Sequence, residues 1–195
     1  MQTSSVAQEP DLPCLRQGSP RIRVDVQAEP RSFIGAKNTQ GQPFDLPFDR
    51  DTAIQKRYRI ASIGMEAGWR VDQLRISYEN LESHESQAMI VHGGNKGNNL
   101  GDIQLGPGKK ISEIYSEYGT SIDRLKIVAD QRVLENFGTK GDRQHPVHWQ
   151  SGPNQIALGF SGRSDDNPAG ALYALQAIVA RFQKIDWEPI DGQDS

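Results

Sequence analysis

"IASIGMEAGWRVDQLRI" (Ile60–Ile76) and "ISEIYSEYGTSIDRLKI" (Ile111–Ile127) lie one above the other without a gap. Ile60 falls on Ile111, Ile63 on Ile114, Gly68 on Gly119, Val71 on Ile122, Asp72 on Asp123, Leu74 on Leu125 and Ile76 on Ile127, a constant offset of 51. A looser third copy has Leu172, Tyr173, Leu175 and Ala177 at an offset of 50 from Ile122, Asp123, Leu125 and Ile127. It is preceded by a run holding Ile156, Leu158 and Phe160. Self-similarity at a fixed period is the mark of a structure assembled from like units. Each unit has one apolar face to bury, so the three faces should close on a shared core. The expected fold is all-β with approximate threefold symmetry.

The alternation inside a copy contains a break. Leu74, Ile76 and Tyr78 alternate with Arg75, Ser77 and Glu79, yet Val71 stands three residues before Leu74. Ile122 and Leu125, and Leu172 and Leu175, repeat that step. Side chains of a strand alternate with period 2, so a step of three requires a bulge or a bend where the loop enters the strand. A loop bent in that way leaves backbone N–H groups outside the ladder. In two copies it also carries a glycine and, four positions on, an aspartate: Gly68 to Asp72 and Gly119 to Asp123. Glycine admits a ligand close to the backbone. A carboxylate accepts hydrogen bonds from two hydroxyls at once, and charged acceptors make the stronger bonds. Two neighbouring hydroxyls describe one edge of a hexose. The glycine-rich stretches "HGGNKGNN" (His92–Asn99) and "FGTKGD" (Phe137–Asp142) follow the two copies at similar spacing and would close each site with further amides. Gly and Asp are also the ordinary residues of turns. The in-register repetition favours a ligand site, yet repeats also preserve turns for structural reasons.

The rest of the chain bounds the function. Its 195 residues suit one domain, and 22 basic against 25 acidic side chains give a net charge of −3 with no basic stripe, so nucleic acid is not an expected partner. No apolar run reaches the length of a membrane span, so membrane insertion is not expected. The single cysteine, Cys14, precludes an internal disulfide, and the opening residues lack a signal-peptide pattern. Both favour the cytoplasm or export by a non-classical route. Residues 1–20 read as a flexible polar extension, 21–187 as the folded domain and 188–195 as a tail. "RIRVDVQ" reads as a short strand, and Glu29 to Asp51 as loop with short extended pieces. "LYALQAIVARF" has helical composition, but its place in the repeat makes it a strand.

Taken together, these segments resemble the jacalin-related lectins over roughly Ser32 to Arg181. "SFIGAKNTQGQPFD" is similar to the family's opening loop and Phe-Asp. "HGGNKGNNLGDIQLGPGKKISEIYSEYG", "SIDRLKIVADQR" and "IALGFSGRS" follow in the family's order. The resemblance implies a β-prism of three four-stranded Greek-key sheets about a pseudo-threefold axis. It implies metal-independent binding of glycans or glycoproteins, with no cofactor and no catalysis. Carried over residue by residue, Gly68, Trp69, Arg70, Val71 and Asp72 with Gly93 and Gly94 form one carbohydrate site. Gly119, Thr120, Ser121, Ile122 and Asp123 with Gly138, and with Gly141 as a further candidate, form a second. The third copy departs from the pattern: Tyr173 stands where the aspartate belongs, and "IGAKNTQGQ" lacks paired glycines. Asp165 or Asp166 is the nearest carboxylate that could take its place. Galactose-preferring members are cleaved near the opening glycines, and no sign of that is present, so mannose or glucose is expected. Useful avidity from shallow sites calls for two sites or a homo-oligomer. The alternative is the same fold used for protein interaction or toxin targeting, with little sugar binding.

Other patterns carry less. His145 and His148, three apart, would face opposite sides of a strand and lack further zinc ligands. Asp45, Asp49 and Asp51 lack the glycine spacing of a calcium loop. The tryptophans do not sit in the Gln-x-Trp repeats of a β-trefoil. Trp69 would either stack on a sugar face or pack beneath its loop.

Overall fold

The computed structural model describes residues 21–35, 40–48, 58–81, 83, 85–86, 89–136 and 146–185. The expected polar extension and acidic tail, with Gly138, Gly141 and His145, lie outside them. Twelve strands and no helix make up the described chain. They are β1 (Arg21–Gly35), β2 (Gln42–Phe44), β3 (Tyr58–Ala67), β4 (Val71–Asn80), β5 (Ile90–Gly93), β6 (Asn98–Gln104), β7 (Ile111–Tyr118), β8 (Ile122–Ala129), β9 (Arg132–Glu135), β10 (Val147–Gln150), β11 (Gln155–Ser164) and β12 (Leu172–Ile185).

Three four-stranded sheets result, ordered β5-β4-β3-β6, β10-β7-β8-β9 and β1-β12-β11-β2. All pairs are antiparallel. In each sheet three strands run in sequence and the fourth returns beside the first, which is a Greek key. Two keys are continuous in sequence. The third starts with β11 and β12 near one end of the chain and is completed by β1 and β2 near the other. That closure explains why the third repeat looks incomplete when read linearly. It also makes β1 longer than the strand expected from "RIRVDVQ", since Arg21–Gly35 pairs along β12 with a register shift between Glu29 and Ile34. The helix-like "LYALQAIVARF" is strand β12, because its neighbours on both sides supply ladder partners and override local propensity.

The core follows the repeat. Val71, Leu74, Ile76 and Tyr78 of β4, Ile122, Leu125, Ile127 and Ala129 of β8, and Leu172, Leu175, Ala177 and Val179 of β12 are all buried and join one cluster. The step of three has a definite cause. Glu66 pairs with Gln73 and Ala67 with Val71, so Asp72 is left over as a bulge. Asp123 is left over in the same way between the pairs Glu117–Arg124 and Tyr118–Ile122. Tyr173 is left over between Arg163–Ala174 and Ser164–Leu172. The extra residue keeps the side chains before and after it on the inner face. Truncating any one of Leu74, Leu125 or Leu175, all fully buried, should cost about 2–5 kcal/mol.

Candidate functional site

Gly68, Trp69 and Arg70 form a tight connection between β3 and β4, in which the Gly68 amide donates to the Arg70 carbonyl at 3.0 Å. The bulge then swings the Asp72 side chain back over this turn. Asp72 is 5 % exposed, and its Oδ1 accepts from Arg70 Nε at 3.2 Å. Its Oδ2 has no partner among the described residues and is not sealed from solvent. That oxygen lies between two glycines. A Cβ on Gly68 would sit 3.7 Å from it, and one on Gly97 would sit 2.7 Å from it and 2.5 Å from the Ala67 amide nitrogen. Gly68 therefore leaves the mouth open, while Gly97 is glycine because nothing larger fits. The oxygen is poised to accept from a hydroxyl group. Trp69 projects outward at 59 % exposure, with the Arg70 guanidinium 4.9 Å from its ring centroid. Val71 is fully buried, so its side chain belongs to the core and only its backbone borders the site.

Gly93 and Gly94 stand beside this pocket at the start of the connection from β5 to β6. Gly93 has φ +98°, and a Cβ there would come within 2.0 Å of the Asp72 carbonyl oxygen. Its amide donates to Asp166 Oδ1 at 2.7 Å, and that of Asn95 to the Pro168 carbonyl at 3.1 Å. Gln73 Nε2 donates to the Gly94 carbonyl at 2.8 Å. The partners Asp166 and Pro168 belong to the β11–β12 connection, which crosses to this side of the molecule. Arg70 Nη2 donates to the carbonyls of Ala169 at 2.8 Å and Gly170 at 3.3 Å in the same connection. Three loops from two sheets thus meet around Asp72. His92 stacks on Phe44 with centroids 3.8 Å apart, and burial lowers its basicity against the opposing pull of Asp166.

The second loop repeats the turn with different chemistry. Gly119 donates to the Ser121 carbonyl at 3.0 Å, and Ser121 Oγ to Asp123 Oδ1 at 3.1 Å. Asp123 is buried, and burial raises its carboxyl pKa above the ordinary aspartate value. The Ser121 hydroxyl, the Gly119 amide and the Arg70 charge oppose that rise, while Glu117 adds to it. Thr120 is exposed at the tip and Ile122 is in the core. Asn136, also buried, accepts from the Leu125 amide at 2.7 Å and donates to the Asp123 carbonyl at 2.9 Å, so it continues the β8 ladder beyond β9.

In the third copy no carboxylate occupies the bulge. A Cβ on Gly41 would lie 2.8 Å from the Tyr173 ring, so the ring fills the space beside the opening loop. Asp166, held by Ser164 Oγ at 2.7 Å and by Gly93, is turned toward the first loop instead. Reading the sequence did not identify Gly97 or the crossing connection. Gly97 was visible as the third glycine of "HGGNKGNN", whereas nothing local signals where "SDDNPAGA" leans.

The family model described as Jacalin-like lectin domain matches residues 34–172. No curated protein matches the chain. Solved structures with the same fold include a mannose binding jacalin related lectin from Ananas comosus, at 17 % identity, covering 80 % of this chain and 96 % of that one, with a TM-score of 0.59. Malaysian banana lectin is similar at 17 % identity, over 83 % of this chain and 98 % of that one, TM-score 0.56. Artocarpin in complex with mannotriose is similar at 12 % identity, over 83 % and 98 %, TM-score 0.54.

Proposed function

The chain belongs to the jacalin-like lectin domain family, and from that premise we propose that it binds mannose- or glucose-type glycans without metal and without catalysis. The observation that carries this is Asp72 Oδ2, a largely buried carboxylate oxygen left without a protein partner between two glycines. A pair of sugar hydroxyls would supply the missing donors, and Trp69 offers an exposed aromatic face at the rim for the apolar side of the ring. Gly68 to Asp72 is the leading site. Gly119 to Asp123 is the second, with Ser121 in place of Arg70. The neighbours named for mannose and mannotriose support the choice of sugar class.

A glycan array of the wild type, Asp72→Ala, Asp123→Ala and the double variant tests the reading. Mannose- or glucose-terminated glycans should bind the wild type, and each carboxylate removed should weaken binding at its own loop about 10- to 100-fold, the worth of hydrogen bonds to a charged acceptor. Loss of all signal in the folded double variant is the expected end point. A wild type that binds no glycan at high density would overturn the lectin reading in favour of a protein-interaction module. Binding that survives the double variant would overturn the assignment of the loops.

A further inference from the structure

The crossing β11–β12 connection does more than brace the first loop. Between it and the β5–β6 connection lies an open cleft of about 230 Å³, lined by Gln73, Val91, Gly93, Asn95, Asp166 and Pro168. Its size is below the roughly 300 Å³ at which pockets begin to take drug-sized ligands, so it holds one small ring and little more. Its walls are mixed. Val91, 41 % exposed, and Pro168 are apolar. Asp166 is exposed, and while its Oδ1 serves Gly93 and Ser164, its Oδ2 has no partner among the described residues. The Asn95 side chain is likewise exposed and unpaired among those residues. Gln73 is satisfied by Gly94 and Arg75, and serves as floor. A single carboxylate with one amide and two apolar flanks does not make a cation site, which needs several oxygens. It suits a neutral ring with hydroxyls on one edge and an apolar face.

The cleft is lined by Gln73, next to Asp72 in the chain, and by Gly93, where a Cβ would come within 2.0 Å of the Asp72 carbonyl oxygen. One of its walls, Asp166 and Pro168, comes from the very connection whose own carboxylate position has been surrendered to Tyr173. We propose that the third copy's loop has been recruited to the first site, where it forms a subsite for the second residue of a glycan whose first residue sits at Asp72. Asp166 and Asn95 make the hydrogen bonds of that subsite, and Val91 and Pro168 flank the ring. This rests on the lectin reading of the Asp72 pocket.

The test is a length series. Mono-, di- and trisaccharides of mannose and of glucose are titrated calorimetrically into the full chain carrying Asp123→Ala, so that only the first site reports. The quantity read is the ratio of tri- to monosaccharide affinity. It should be about tenfold in that background, the yield of one added hydrogen bond to a charged acceptor. It should fall toward one in Asp166→Asn, which keeps an oxygen to accept from Gly93 but loses the carboxylate charge, and in Val91→Arg, which fills the cleft from the other wall. Circular dichroism confirms that both variants fold. A ratio near one without either change, or a tenfold ratio that persists in both, overturns the subsite while leaving the lectin reading intact. Absence of binding by every sugar overturns both.

Discussion

The loops at 68–72 and 119–123 share a turn, a bulge and a carboxylate, and differ in what holds the carboxylate. In the first, a guanidinium donates to Asp72 and is itself pinned to the carbonyls of Ala169 and Gly170. In the second, a hydroxyl donates to Asp123, and among the described residues no group from another loop bonds to that hydroxyl. The backbone device is thus conserved between copies while the charge around it is not. Asp123 feels Arg70 only from a distance, so burial outweighs its favourable partners and lifts its carboxyl pKa. The two loops share a turn and a bulge but differ in electrostatics, and the strap from the third copy braces the first.

The largest break in this comparison should come from Gly97→Ala. The added methyl would lie 2.5 Å from the Ala67 nitrogen and 2.7 Å from Asp72 Oδ2, contacts that backbone cannot relieve cheaply. Overpacking of this kind costs about 1–3 kcal/mol. Urea unfolding should show that loss, and titration with a mannose-type glycan should find the first site closed and the second unchanged. Gly119→Ala in the second loop is the contrasting variant, since among the described residues its methyl would meet only Asp123 Oδ2, at 3.0 Å, and a side chain can give way. Equal losses of stability in both variants would show that the bulge, not Gly97, sets the tolerance.

A smaller effect concerns the second loop and pH. The Asp123 carboxyl has its pKa raised in the folded chain, so the folded state holds that proton more tightly than the unfolded state. Its contribution to stability is therefore present below the unfolded value of about 3.9 and is lost as pH rises through the folded value. Asp123→Asn should remove that loss, leaving the chain more stable at pH 7 and the pH dependence flatter just above the ordinary aspartate range. Urea midpoints at a series of pH values check this. Glycan binding at the second loop needs the ionised carboxylate. In an Asp72→Ala background it should fade on acidification with a midpoint above the ordinary aspartate value. A midpoint at or below that value would contradict the role of burial.

How much of this was legible beforehand depends on whether the signal was local. The step from Val71 to Leu74, repeated at Ile122 and Leu172, exposed both the threefold fold and the bulge, because strand parity is a property of neighbouring residues. The extension of β1 to Gly35 was missed, because its pairing partner lies at the far end of the chain in β12. The candidate carboxylates Asp72 and Asp123 stood out as repeat anchors. The roles of Arg70 and Asp166 did not. Arg70 was named only as a member of the first site; that its guanidinium spans from Asp72 to Gly170, about a hundred residues away in sequence, is a contact between sheets that no local pattern signals. Asp166 was visible only as a nearby carboxylate in the altered third copy. Its use by Gly93 depends on which way that loop leans, and packing between sheets decides that.

The smallest expected effect tests whether Ser121 does for Asp123 what Arg70 does for Asp72. Removing its hydroxyl by Ser121→Ala deletes one donor at 3.1 Å that favours the ionised carboxylate. The Asp123 carboxyl pKa should then rise further, because burial and Glu117 act with one fewer opponent. Affinity at the second loop should then begin to fade, on acidification, at a higher pH than it does with Ser121 in place. Nuclear magnetic resonance of the Asp123 side-chain carboxyl follows the first change, and calorimetry in the Asp72→Ala background follows the second. Ser121→Arg completes the comparison in the other direction. The second loop has no strap among the described residues to pin a guanidinium. The new arginine should lower the carboxyl pKa by its charge, yet fail to restore affinity, since an unheld side chain must be ordered on every binding event. If Ser121→Arg instead gave the second loop the affinity of the first, charge alone would distinguish the two sites, and the bracing of Arg70 by Ala169 and Gly170 would have no part in binding.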